Sequence, residues 1–233
     1  MNKILIIMPA YNEAESIRGV ISAVNKELPH VDILVINDGS RDATSHIAKG
    51  LGATVIDLPY NMGIGAAMQT GYRYAANMGY DIAVQVDADG QHPPDQIKYL
   101  IDPAMEKRAD MIIGSRFLGS GEYQPSLARN LGIKVFAAVV SMITGHRLTD
   151  TTSGFRAAGK ETIRFFAQSY PEDYPEVEVL VLLHKAGFNI MEVPVNMEPR
   201  VGGKSSITPL QAIYYMIKVL LAVFIDMLKR VKR

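Results

Sequence analysis

Short apolar runs alternate with stretches of helical periodicity through the first half of the chain, and this pattern constrains the fold most. Residues 3 to 8, Val31 to Ile36, Ala53 to Leu58 and Ile82 to Val86 read as strands. They are apolar on both faces, so both must be covered. Between them lie helical segments: Glu13 to Glu27, with Ile17, Val20, Ile21 and Val24 on one stripe, Arg41 to Gly50, with Ser40 as the expected N-cap, and Gly63 to Met78. Two-face-buried strands linked through helices make a parallel sheet covered by helices, an α/β doubly wound domain. The second half is less regular. Helices are expected at Pro94 to Met105, Leu127 to Thr144 and Pro175 to Ala186, and strands at Asp110 to Gly114 and Asn189 to Val193. A polar turn, Thr149 to Arg156, enters a further short strand. At 233 residues the chain forms one large domain, or one domain with an appendage.

In sheets of this kind ligands bind outside the carboxyl ends of the strands. Three expected strand ends carry polar clusters: Tyr11-Asn12-Glu13, Asn37-Asp38-Gly39-Ser40 and Asp87-Ala88-Asp89. The last is the most pointed. Two aspartates one residue apart end an apolar strand and are followed by Gly90-Gln91-His92-Pro93-Pro94. Unpaired carboxylates at that position repel each other and resist desolvation, a conflict that Mg²⁺ or Mn²⁺ removes. Taken alone, an Asp-x-Asp is more readily a polar turn.

Other chemistries are excluded by what is missing. There is no cysteine, so disulfides and thiolate chemistry are out, and a reducing, cytosolic setting fits. Twenty-four basic residues balance 24 acidic ones, which gives no global field for nucleic acid. The five histidines form no zinc-hydrolase pair, and no Gly-x-Ser-x-Gly elbow or Gly-Lys-Ser/Thr phosphate loop occurs. Gly63-x-Gly65 opens a helix, but Met68 stands where a dinucleotide fingerprint needs its third glycine, and close packing explains the pair as well. Arg116 follows a strand end, Arg129 opens a helix beyond the Gly-rich loop Gly119-Ser120-Gly121, and Arg200 and Lys204 share a Gly-rich loop. A lone loop arginine is ordinarily solvated. Several beside a cation site suit an anionic diphosphate and a second phosphate.

The segment Pro209 to Arg233 differs in kind. From Leu210 to Ile225 only Gln211 and Lys218 are clearly polar, and Lys229, Arg230, Lys232 and Arg233 make a basic end. The run is short for a spanning helix. A broad apolar face with a thin polar stripe describes a helix lying in a membrane interface or docked on a partner. The alternative is a terminal helix packed on its own core.

Five motifs, in order, carry a resemblance. Pro9-Ala10-Tyr11-Asn12-Glu13, Ile36-Asn37-Asp38-Gly39-Ser40, Asp87-Ala88-Asp89-Gly90-Gln91, Gly114-Ser115-Arg116 and Ser153-Gly154-Phe155-Arg156 are similar to those of family 2 inverting glycosyltransferases. Within that family the chain resembles the dolichol-phosphate mannose synthase and bacterial polyprenyl-phosphate glycosyltransferase group, over about residues 3 to 206. The resemblance implies a GT-A, Rossmann-like fold with a mostly parallel sheet, a catalytic domain over 1–206 and a C-terminal amphipathic helix over 207–233. It implies a nucleoside site of Pro9, Ala10, Tyr11, Glu13, Ile36 and Asp38. It places a Mg²⁺ or Mn²⁺ on Asp87, Asp89 and Gln91, with Ala88 between them. Arg116 and Arg200 would contact donor phosphates and Arg129 the acceptor phosphate. Lys204 departs from the family's Ser-Lys ending, since Ser205-Ser206 follow it.

The implied reaction is metal-dependent hexosyl transfer, with inversion, from a nucleotide diphosphate sugar of the UDP-glucose or GDP-mannose type to a polyprenyl phosphate. The acceptor phosphate is already anionic and needs no general base. The expected place is the cytoplasmic face of the cell membrane, as a peripheral protein, with room for a small integral-membrane partner. Two rivals keep the fold: transfer to a soluble or polysaccharide hydroxyl, for which Asp150 or Glu178 would be the base, and a non-catalytic nucleotide-sugar-binding subunit of a membrane complex. A sugar nucleotidyltransferase would want a Gly-rich, lysine-containing loop after the first strand, and Pro9 to Glu13 is not one.

Overall fold

The structure, a computed structural model, describes residues 2–118, 127–198 and 209–228, with the side chains of 127–131, 209–215 and 226 outside that set. Its sheet has seven strands: β1 (Ile4–Ala10), β2 (Asp32–Asn37), β3 (Thr54–Asp57), β4 (Ile82–Gln85), β5 (Met111–Ser115), β6 (Arg156–Gly159) and β7 (Ile190–Pro194). They lie in the order β3-β2-β1-β4-β6-β5-β7. β1 pairs in parallel with β2 and β4, β2 with β3, and β5 with β7. β6 runs antiparallel between β4 and β5. The sheet is therefore mostly parallel, with one reversed strand at its middle.

The period of two along each strand divides the core. Leu5, Ile7, Leu34, Ile36 and Ala83 face one layer, which contains α3 (Ile64–Asn77), α5 (Leu127–Thr144), α6 (Lys160–Gln168), α7 (Pro175–Lys185) and α8 (Pro209–Leu228). Ile6, Met8, Ile33, Val35, Ile82 and Val84 face the other, with α1 (Ile17–Glu27), α2 (Thr44–Gly50) and α4 (Ile97–Met105). Each such side chain contributes about 1.5–3 kcal/mol by leaving water, which is why the strands carry no polar alternation. The carboxyl ends of β1, β2, β4 and β5 come to one edge, and the reversed β6 brings its first residue, Arg156, to the same edge opposite Gln85.

Three local expectations change. Pro9 and Ala10 continue β1 instead of starting a loop. β1 pairs with β4 only as far as Ile7↔Gln85, so the missing N–H of Pro9 removes no bond on that side. Ser40 does not cap α2, which begins at Thr44: the Ser40 hydroxyl accepts the Asn12 N–H at 2.9 Å, and Asp42 accepts the Thr44 N–H at 3.0 Å. The helix α6 was not among the expected elements. Its Thr162, Ile163, Phe165 and Phe166 favour strands by propensity, but packing on α3 overrides them, with the Tyr72 and Phe166 rings 4.9 Å apart.

The helix α8 buries Val219 and Val223 in the common core and leaves Ile217, Leu221, Phe224 and Leu228 exposed. Met142 on α5 is 83% exposed. Among the described residues no helix is long and apolar enough to cross a membrane.

Candidate active site

The strand ends converge on a cavity of about 290 Å³. The end of β1 and the loop after it supply Pro9, Ala10, Tyr11 and Glu13, and the end of β2 supplies Asp38. Asn61, Gly63, Ile64 and Ala67 come from the entry to α3, Gln85, Asp87, Ala88 and Asp89 from the end of β4, and Glu176 from the first turn of α7. A larger groove of about 610 Å³ runs between α4 and the edge strand β7, lined by Tyr99, Pro103 and Val193 among others. None of the strand-end clusters opens into it.

Asp87 and Asp89 are held by local bonds that present their carboxylates to the cavity. Gln85 Nε2 donates to Asp87 Oδ1 at 3.1 Å, and the Gln91 N–H donates to Asp89 Oδ1 at 3.0 Å. The Asp87 side chain keeps 34% of its surface exposed. Behind it, His92 is buried and stacks on Phe155, with ring centroids 4.7 Å apart. His92 Nδ1 accepts the Asp87 N–H at 3.0 Å, which leaves the ring proton on Nε2, 3.7 Å from Asp87 Oδ2. Burial pushes the His92 pKa down against the opposing pull of Asp87 and Asp89, in the same sense as the acceptor role of its Nδ1 toward the Asp87 N–H.

Two hard-oxygen carboxylates at the mouth of a polar cavity fit Mg²⁺ or Mn²⁺ with positions left for waters and phosphate oxygens. Among the described residues no group of three carboxylates or imidazoles forms, so such an ion would depend on the ligand's own oxygens. Gln91 takes part through its backbone, donating to Asp89 and accepting the Glu198 N–H at 3.0 Å, and its side chain is not among the cavity walls.

Asp38 has a task that its place in the motif did not disclose. Its two oxygens accept the N–H groups of Met62 and Gly63 at 2.7 and 2.9 Å, tying the segment before α3 to the end of β2. Gly39 sits at φ 70° with the backbone of Tyr60 so close that a Cβ would lie 2.5 Å from it. Asn37 completes the clamp by donating to Asp57 at 2.8 Å. Ile36 is fully buried in the core beneath, so of that motif only Asp38 reaches the cavity. Gly65 is likewise explained by packing, because a Cβ there would meet the Glu172 carbonyl at 2.4 Å.

Arg116 is buried at the end of β5 and pairs with buried Asp150: Nε to Oδ2 and one terminal nitrogen to Oδ1, both at 2.7 Å, with Thr152 Oγ1 at 2.9 Å. Asp150 is held from the neighbouring strand. Glu192 on β7 accepts the N–H groups of Thr149 and Asp150 at 2.8 and 2.7 Å, and the Thr149 hydroxyl at 2.8 Å. Arg116 is not among the cavity walls, and its charge is matched by Asp150. Arg156 is also buried and donates to the carbonyls of Ser153, Thr151 and Glu176, which fixes the turn under the site and the start of α7. Glu178 accepts the Tyr174 N–H at 3.2 Å and is not a cavity wall. Arg200 and Lys204 lie outside the described residues, and Arg129 is in the first turn of α5 with its side chain outside them.

Of the residues singled out in the sequence, Pro9, Ala10, Tyr11, Glu13, Asp38, Asp87, Ala88 and Asp89 line this cavity. It adds Asn61, Ile64, Gln85 and Glu176, which sequence reasoning missed. Gln85 had a readable signal, as the one polar residue in the run Ile82 to Val86. Glu176 had none, since acids are common in a helix's first turn.

Comparison with known proteins places the chain in a family and a fold. Residues 5–169 match the family model described as glycosyl transferase family 2. A polyprenol monophosphomannose synthase of Mycolicibacterium smegmatis is 32% identical over 214 residues, covering 88% of this chain and 80% of that protein. A UDP-N-acetylglucosamine–dolichyl-phosphate N-acetylglucosaminyltransferase of Methanococcus voltae is 31% identical over 212 residues, covering 82% and 84%. Among solved structures, glucosyl-3-phosphoglycerate synthase of Mycobacterium tuberculosis, in complex with Mn²⁺, uridine-diphosphate and glucosyl-3-phosphoglycerate, superposes with a TM-score of 0.72. That match covers 95% of this chain and 80% of the other at 21% identity, and it establishes the shared GT-A, Rossmann-like fold.

Proposed function

Because the chain belongs to glycosyl transferase family 2, we propose that it transfers a hexose, with inversion, from a nucleotide diphosphate sugar to a polyprenyl phosphate. The observation that carries this reading is the use made of the carboxylates. Asp87 and Asp89 face the cavity, whereas of the two bases expected for a hydroxyl acceptor Asp150 is spent on Arg116 and Glu178 stands off the cavity, and the other carboxylates of the wall, Glu13 and Glu176, are given to the donor in this account. A phosphate acceptor needs no base. The two named relatives support the acceptor class, since polyprenol and dolichyl phosphates appear in their names.

In this account Tyr11, Glu13 and Asn61 border the nucleoside, and Asp38 acts by holding the segment that carries Asn61. A divalent cation held by Asp87 and Asp89 would neutralise charge on the departing diphosphate. Gln85 and His92 keep the Asp87 carboxylate aimed at the cavity. Arg116 stiffens the site through Asp150. The family resemblance assigns Arg200 to the donor phosphates and Arg129 to the acceptor phosphate, and Lys204, which departs from the family's pattern, would add its charge from a shifted position in the sequence. The acceptor oxygen attacks the anomeric carbon opposite the leaving diphosphate, which inverts that centre. The exposed Ile217, Leu221, Phe224 and Leu228 of α8 lie against the lipid surface that holds the acceptor, which makes the protein peripheral to the membrane.

The test is a donor panel. UDP-glucose, UDP-N-acetylglucosamine and GDP-mannose are each offered with Mn²⁺ and with or without a short polyprenyl phosphate. The expected outcome is nucleoside diphosphate release that requires both Mn²⁺ and the lipid phosphate. Release that a soluble sugar or glycerate acceptor supports equally well would point to the hydroxyl-acceptor reading.

A further inference from the structure

Glu176 is the cavity wall that the proposed chemistry leaves unused. It follows Pro175 at the start of α7 and shares the cavity with Gln85, Asp87 and Asp89. Its backbone is pinned, because its carbonyl accepts a bond from buried Arg156. Its carboxylate is not satisfied in the same way. Among the described residues no other side chain bonds to it. The Arg156 guanidinium, whose charge acts on Glu176, is spent on the carbonyls of Thr151, Ser153 and Glu176. Burial beside Asp87 pushes the Glu176 pKa up, despite the opposing pull of Arg156.

A half-buried carboxyl without a partner is costly unless a ligand supplies the partner. What would cancel the cost here is a donor of O–H bonds. Among the described residues Glu176 does not join Asp87 and Asp89 in a three-ligand metal group. A diphosphate is not the partner either, because like charges repel. A hexose on a diphosphate held at Asp87 and Asp89 would sit next to that diphosphate, in the cavity that Glu176 also lines, and it carries paired hydroxyls. A carboxylate accepts two such hydroxyls side by side, through charge-assisted bonds stronger than neutral ones. On the premise of a nucleotide-sugar donor, we propose that Glu176 binds the donor hexose through neighbouring hydroxyls and so sets which sugar the enzyme accepts.

The experiment compares binding with and without the sugar, so that it needs no acceptor. Calorimetric titrations with Mn²⁺ measure UDP against UDP-glucose and GDP against GDP-mannose, on the full chain and on Glu176→Ala and Glu176→Gln. Thermal unfolding confirms that the variants are folded. The expected result is that the nucleoside diphosphate binds wild type and Glu176→Ala within about twofold, while the nucleotide sugar loses about tenfold. Glu176→Gln, which keeps an acceptor oxygen, loses less. A deoxy-sugar donor lacking the paired hydroxyls binds wild type and Glu176→Ala alike. Equal weakening of diphosphate and nucleotide sugar would make the residue merely structural and overturn the proposal. So would unchanged affinities with turnover abolished, which would move Glu176 to the acceptor side. If wild type binds no nucleotide sugar, the donor reading itself fails and the proposal falls with it.

Discussion

Asp89 and Asp150 show how the same side chain serves two ends in one site. Asp89 lies on the cavity wall at the end of β4, and Asp150 is fully buried against Arg116. Replacing Asp89 by alanine leaves the fold intact and should cut transfer by about 10³-fold or more, since the leaving charge loses its stabilisation. Steady-state turnover measures this, and near-normal activity would remove Asp89 from the mechanism. Asp150→Ala strands a buried guanidinium, so denaturant unfolding should register a loss of about 3–5 kcal/mol. Asp57, at the end of β3 and bonded to Asn37, gives the fold a pH signature. Bonds from Lys49, Ser45 and Asn37 pull its pKa from 3.8 down to about 2. Its contribution is therefore full above the unfolded value near 3.8 and disappears as pH falls toward 2. With 43% of the side chain exposed, solvent screening keeps the effect below about 1 kcal/mol. Chemical unfolding of wild type and Asp57→Asn should differ above pH 4 and converge near pH 2. At this scale the sequence showed the Asp87-Ala88-Asp89 pair, because charges that end an apolar strand need an explanation. It could not show that Asp150, 34 residues from Arg116, would claim that arginine.

The elements divide in the same way. Strands apolar on both faces were legible in β1, β2, β4 and β5, because burial on two sides leaves no room for polar alternation, while the edge strand β3 leaves Thr54 and Asp57 exposed. The direction of β6 was not legible, since four residues, Arg156 to Gly159, pair equally well either way and only the neighbouring strands decide. The helix α6 was missed because tertiary packing overrode its β-prone residues. The helix α8 was legible as amphipathic, and the structure divides its apolar surface into a buried stripe at Val219 and Val223 and an exposed one. That exposed stripe carries a prediction. Leu221→Glu and Phe224→Glu change side chains that touch little of the core, at 56% and 59% exposure. Each should leave thermal stability unchanged and lower partitioning onto lipid vesicles about tenfold or more, because an apolar side chain of that size is worth about 1.5–3 kcal/mol on leaving water. Co-sedimentation with the vesicles measures it, and undiminished binding would place the membrane contact elsewhere.

At the scale of the whole molecule, the parallel strands bring chemistry from distant parts of the chain to one edge. The motifs around Tyr11, Asp38, Asp87 and Arg156 are separated in sequence and meet there because the strands that precede or follow them share a sheet. That convergence was foreseeable from topology alone. The clamps beneath it, from Asp38 to the segment before α3 and from Glu192 to the Asp150 turn, were not, since they depend on side chains meeting across 24 to 43 residues. The account's central claim concerns the acceptor. Its most direct measurement is the fate of the labelled sugar when the purified protein, Mn²⁺ and the best donor of the panel meet polyprenyl phosphate and a soluble hydroxyl acceptor in one reaction. The account predicts label in the lipid phosphate fraction, with inverted anomeric configuration and none formed by Asp89→Ala. Label in the soluble acceptor, with the lipid phosphate untouched, would contradict it.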